Sequence, residues 1–218
     1  MESVSKLLKR VGLLAAILIS ALGTQSALAA ISGSAHDFSA KGWGSTQLCI
    51  FCHAPHNSAS TTLLWNHAPT TATYTLYSSG TMNALLGQPA VGTVSKLCLS
   101  CHDGTVAVDN FGGRTPTPVT IAASANLAGG TVGGTTGSLV NDHPISFAYT
   151  TALATTDGGL VSPASLSLVS TGVPLYGNSG QLECASCHDV HNNTTGTPAK
   201  LLRVANTGSA LCLKCHVK

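Results

Sequence analysis

The sequence predicts a chain that is mostly loop, with short helices at four copies of one five-residue motif and a few short strands between them. Three observations predict it. Glycine and proline are frequent, at 23 and 9 of 218 residues, so long helices have little to grow from. Only 8% of residues are charged, against roughly 25% in an ordinary soluble domain. All eight cysteines fall in one spacing, Cys-x-x-Cys-His. These observations exclude several classes. With a formal net charge of +2 and no Lys/Arg cluster beyond residue 10, the chain is no basic nucleic-acid binder. With 44% apolar residues it is no disordered polyelectrolyte, and its Gly/Pro content argues against a helical bundle.

Residues 1–29 read as a secretory leader. Lys6, Lys9 and Arg10 open it, an apolar run covers 11–22, and Ala27-Leu28-Ala29 is a small-residue cleavage signal. The run is shorter than the about 20 apolar residues that a membrane span needs. The alternative is an uncleaved amphipathic or anchoring segment. The rest, 30–218, is expected to be one domain of two motif pairs, about 30–140 and 141–218, exported and without a membrane span. It carries seven basic and seven acidic residues, so its formal charge is zero and self-repulsion is weak.

The motifs are Cys49–His53, Cys98–His102, Cys184–His188 and Cys212–His216. This is the attachment signature of c-type haem. Two thiols, Cys49 and Cys52 in the first copy, Cys98 and Cys101, Cys184 and Cys187, Cys212 and Cys215 in the others, add across two vinyl groups of a porphyrin. The following histidine, His53, His102, His188 or His216, is then held beneath the iron as proximal ligand. Four disulfides would not require a histidine after every second cysteine. Zinc knuckles would sit closer together than these long, uneven gaps. The expectation is four covalent haems, with the haem stack as core and a largely unfolded apoprotein.

Haem iron takes a ligand on each face. Outside the leader, Met82 is the sole methionine, so histidine is the expected sixth ligand. Five histidines lie outside the motifs: His36, His56, His67, His143 and His191. An internal repeat sorts them. Motifs one and three read Cys-His-x-x-His-Asn, motifs two and four read Ser-x-Leu-Cys-Leu-x-Cys-His, and Leu63-Leu64 and Leu201-Leu202 follow the first kind. Each repeat then holds one upstream histidine, His36 or His143, and one three residues past a motif, His56 or His191. These four are the candidate distal ligands. His67 has no counterpart and reads as a surface or propionate-contacting residue. A histidine three residues beyond its motif lies on the same side as the proximal one, so it must serve a different haem.

The remainder reads as loop. The segment 111–140 is rich in Gly, Thr and Ala, and the fragments 117–121 and 166–169 are candidate strands. Helices are expected only at the motifs. Trp43 and Trp65 read as haem-packing aromatics, and Asn192–Thr195 as a loop. No catalytic Ser-His-Asp set, carboxylate pair or phosphate loop is legible, so no catalytic residue is assigned.

The words around the motifs carry a resemblance. His36–Ser39, Cys49–Asn57, Leu64-Trp65-Asn66, Ser95–Thr105, Asn141–Phe147, Glu183–Asn192 and Ser209–His216 resemble exported tetrahaem cytochromes with doubled CxxCH motifs, most of all the OmcE-like subunits of extracellular cytochrome filaments. The resemblance implies a multihaem cytochrome c fold, bis-histidine haems and end-to-end polymerisation. It also implies a distal histidine donated by one subunit to its neighbour, here His56 or, second, His36. The expected function is electron transfer without catalysis, to other redox proteins or extracellular acceptors. The alternatives are a soluble periplasmic tetrahaem shuttle and, less favoured, a multihaem reductase with one open iron.

Overall fold

In the computed structural model, residues 31–58, 62–84, 91–114, 118–128, 136–164, 172–191 and 201–217 are described. The leader read at 1–29, the strand fragment 166–169 and the loop 192–195 lie outside them. Within the described residues the chain is chiefly turns and extended segments. The regular elements are β1 (Thr73–Leu76), α1 (Thr93–His102), β2 (Thr136–Leu139), β3 (Phe147–Ala148), α2 (Thr151–Asp157), β4 (Gln181–Leu182) and α3 (Cys184–Cys187). Short 3-10 turns sit at Thr62–Leu64, Ala123–Ala125, Thr207–Ser209 and Cys212–Lys214.

β1 and β2 pair in parallel, from Thr73 opposite Thr136 to Leu76 opposite Leu139. β3 and β4 pair antiparallel, with Phe147 opposite Leu182. Each pair carries one small apolar cluster. Val91, Leu99, Ala128 and Leu139 pack with Tyr74, Leu76 and Ile145. Phe147, Tyr149 and Leu182 pack with Leu153, Leu160, Leu175 and Cys215. An aromatic knot forms a third centre. Phe51 is almost fully buried and meets Phe111 edge-on at 4.6 Å, and Phe38 and Trp43, also edge-on, at 5.7 and 6.2 Å. Phe38 sits 6.2 Å from His36. Clusters this small leave a chain of this length short of buried apolar surface.

Two expectations about elements are corrected. α2 carries no motif. It forms because Thr150 caps it, accepting from Leu153 N at 3.1 Å, and Gly158 ends it in the left-handed region at φ 70°. The candidate strand at 117–121 is not one over its described part, 118–121. Val119 N is taken by the Asp109 carboxylate at 3.1 Å and only its carbonyl pairs, with Val108 N at 3.0 Å, so no ladder develops.

Candidate haem sites

The four motifs are held differently. At motif one, Cys52 N and His53 N both donate to the Cys49 carbonyl, at 3.2 and 2.9 Å, and the motif is a single turn. Motif two is the C-terminal half of α1, motif three begins with α3, and motif four begins with the 3-10 turn 212–214. One turn of chain between two thiols puts both on one side.

After motifs one and three the chain returns in the same way. Ala54 N donates to Leu64 O at 2.9 Å, and Asp189 N to Leu201 O at 2.8 Å. Asn66 N donates to Cys52 O at 2.9 Å, and Arg203 N to Cys187 O at 2.8 Å. The side chains match too: Asn66 Nδ2 reaches Ile50 O at 2.5 Å, and Arg203 Nε reaches Ala185 O at 2.6 Å. Leu64 and Leu201 share a left-handed backbone, φ 52° and 55°. The true register therefore aligns Leu64 with Leu201 and Asn66 with Arg203, one residue off the Leu-Leu match seen in sequence.

Two of the motif histidines, His53 and His102, are oriented as metal ligands are. His53 Nδ1 stands 2.7 Å from the Leu63 carbonyl, and His102 Nδ1 2.7 Å from the Ala125 carbonyl. A carbonyl has no proton to give, so Nδ1 carries it and Nε2 keeps its lone pair. His143 Nδ1 is fixed likewise, 2.8 Å from Pro144 O.

Three of the candidate distal histidines face a motif histidine. His36 stands 6.0 Å from His102, His191 6.0 Å from His53, and His143 6.3 Å from His216, between ring centres. With a histidine nitrogen about 2 Å from a metal, two rings on opposite faces of one iron have centres roughly 6 Å apart. The donor set thus fits haem iron at motifs one, two and four. Two buried atoms fit as well. His36 Nδ1 and, beside His53, Trp65 Nε1 have no hydrogen-bond partner among the described residues. The indole N–H suits a propionate carboxylate. Burial, and the positive form of His102 beside it, lower the pKa of His36 and favour the neutral ring, the form a metal ligand takes.

His56 is exposed, and no aromatic ring stands against it among the described residues. His67 is not a surface residue: it is 2% exposed, with its ring nitrogens 2.9 and 3.1 Å from the Ala68 and Ala107 carbonyls. Its Nε2 also lies 3.3 Å from Cys101 Sγ. Burial lowers its pKa.

The thiols place neighbouring motifs side by side. Cys52 lies near enough to Cys101 to raise its pKa, after burial. Cys98 and Cys184 hydrogen-bond to each other, which, ahead of burial, pushes the Cys98 thiol up. Burial and then Cys215 push Cys187 up to about 11. Motif two thus lies beside motifs one and three, and motif four beside motif three.

Two carboxylates that sequence reasoning passed over are buried among these sites. Asp103, directly after motif two, is fully buried and accepts from Thr70 Oγ1 at 2.6 Å, Tyr74 OH at 2.7 Å and Thr105 N at 2.8 Å. Glu183, directly before motif three, is 2% exposed. Their signal in sequence was adjacency to a motif in a chain with very few charges.

Residues 178–218 match the doubled CXXCH motif family. The match covers motifs three and four and supports a multihaem c-type cytochrome with covalently bound c-type haem. A search of curated proteins found no match.

Proposed function

We propose that the chain is an exported electron carrier holding four c-type haems, each iron between two histidines, and that copies join end to end through His56. The observation that carries this reading is the cross-repeat pair His53–His191. His191 belongs to motif three yet stands over the histidine of motif one. Haem, when bound, supplies reversible one-electron chemistry at iron. The chain's residues do the rest. Eight thiols fix the groups, Leu63 O and Ala125 O set the tautomer of His53 and His102, and distal histidines fill the second face. A filled sixth position leaves no open iron for a substrate, which favours electron transfer over a reductase.

The pair also supports polymerisation. His56 occupies in the first repeat the place of His191 in the second. The relation that sets His191 over motif one, applied one step further, sets His56 of one copy over motif three of the copy before it. Such a contact is heterologous, and it builds an open filament wherever the rotation between copies does not close a ring. His36, which stands against His102 of its own chain, is not needed for it. The test is the mature protein with His56→Ala. Wild type is expected to elute as a broad assembly and the variant as a monomer, both with four haems by mass. An unchanged assembly overturns the joining role of His56, and a monomeric wild type at high concentration overturns the filament reading and leaves the soluble shuttle.

A further inference from the structure

Glu183 sits where two haem-bearing turns begin. α1 starts at Gly92, whose residue type offers no capping side chain. Its first turn is capped from elsewhere: Ser95 N donates to Glu183 Oε2 at 3.3 Å, and Ser95 Oγ donates to the same oxygen. Glu183 is at the same time the N-cap of α3. Its backbone carbonyl accepts from Ser186 N at 2.8 Å, while its own N–H donates to Ser186 Oγ at 3.0 Å. One residue therefore caps the element of motif two with its carboxylate and the element of motif three with its backbone. Ser95 Oγ closes the link by accepting from Cys184 N at 2.9 Å. Ser146, before β3, adds a third arm, accepting from Gly92 N at 2.8 Å and donating to Glu183 Oε2 at 3.1 Å. The fit leaves no room for a side chain at position 92, where a Cβ would come within 1.8 Å of Glu183 Oε1.

Donor counting fixes the charge. A hydroxyl has one proton. The Ser95 and Ser146 hydroxyls each accept a backbone N–H, so each is free to send its own proton to Glu183. The Ser95 N–H can only donate. Every group facing the carboxyl is a donor, which is the environment of an ionised carboxylate. Ser95, Ser146 and Ser186 are as buried as Glu183 itself. Among the described residues no Lys or Arg pairs with Glu183. A buried anion without a protein cation requires compensation. The start of α1 supplies part of it. The rest is available from the positive charge that a bis-histidine haem gains on oxidation, at motifs whose thiols Cys98 and Cys184 touch.

We infer that Glu183 is a positioning residue: a shared N-cap that locks motifs two and three together and, as a buried anion, lowers the reduction potential of the haems they hold. The inference rests on the haem reading above. The test uses the full holoprotein with Glu183→Gln, which keeps the shape and removes the charge. Haem load is first counted by mass. Spectroelectrochemical titration is then expected to show two of the four potentials raised, with a lower thermal midpoint. A fully loaded variant with the wild-type titration curve overturns the inference. If Glu183→Gln does not accumulate, Glu183→Asp serves. Its carboxylate stands one methylene short of the α1 cap, so the same two potentials and the thermal midpoint should move, and wild-type values of both overturn the inference. A wild type without covalent haem sinks the haem reading instead, while the cap is still read from the midpoints.

Discussion

Replacing His191 by alanine separates ligation from proximity. The side chain is 46% exposed and its one ion pair, with Asp189, is 3.5 Å long. A surface pair of that kind contributes less than about 1 kcal/mol. If His191 were only a surface residue, its loss would leave stability and spectra nearly unchanged. As the ligand facing His53 at 6.0 Å, its loss opens one face of one iron. Cys49 and Cys52 keep that haem attached, so the count by mass stays at four. The oxidised protein is then expected to show a high-spin electron paramagnetic resonance signal near one quarter of the iron, where wild type shows low-spin iron alone. Added imidazole should return the signal to low spin. A purely low-spin spectrum in a fully loaded His191→Ala protein would refute the pairing and, with it, the repeat argument that assigns His56 to a neighbouring copy.

Three further outcomes are expected. The ring planes meet at 28° for His53/His191 and at 73° for His143/His216; near-parallel rings split the iron orbitals strongly and near-perpendicular ones do not. Wild type should therefore give a rhombic and a strongly anisotropic low-spin signal, and His143→Ala should lose the second. Arg203→Ala removes charge-assisted bonds to Asp189 at 2.9 Å and Ala185 O at 2.6 Å, and should cost about 2 kcal/mol in chemical denaturation, with Arg203→Lys no rescue. His67 has a folded pKa below its ordinary 6.5, because burial disfavours its charge, so the stability it contributes is complete above about 6.5 and is lost as pH falls through the lowered value. Urea midpoints should fall on that acid side in wild type and stay flatter in His67→Gln; equal slopes would count against the buried neutral ring.

The attachment motifs were legible because their chemistry is local: two thiols and a histidine must meet one porphyrin, which fixes a linear spacing. The supply of candidate distal histidines was legible as a count. Their partners were not, since His191 meets His53 only after the chain folds back between repeats. The fold was legible as loop-rich, but α2 was not, because it depends on the Thr150 and Gly158 caps rather than on apolar period. The repeat was aligned one residue out at the leucine pair, because identity of side chain is a weaker guide than the hydrogen bonds of Ala54 and Asp189. His67 was read as a surface or propionate-contacting residue because nothing in its flanks shows that its ring is buried with its nitrogens against two carbonyls.

What the two repeats share and where they differ suggests how one chain gives its sites unlike properties. The shared part is the backbone return that seats the proximal histidine, with Asn66 in one repeat and Arg203 in the other bonding to the equivalent carbonyl inside the motif. The differing part is charge. Motif one has a neutral amide there, whereas motif three has a guanidinium whose far side is tied to Asp189 and to Tyr176 OH at 3.2 Å. Motif two has Asp103 behind it, held by hydroxyl and amide donors. Net charge and hydrogen bonding near iron are levers on its potential. A chain with 8% charged residues that buries carboxylates beside its middle motifs has placed charge where low dielectric makes it count. On this argument the middle of the chain favours oxidised iron, and exchanging Asn66 and Arg203 should shift the potentials at motifs one and three in opposite directions.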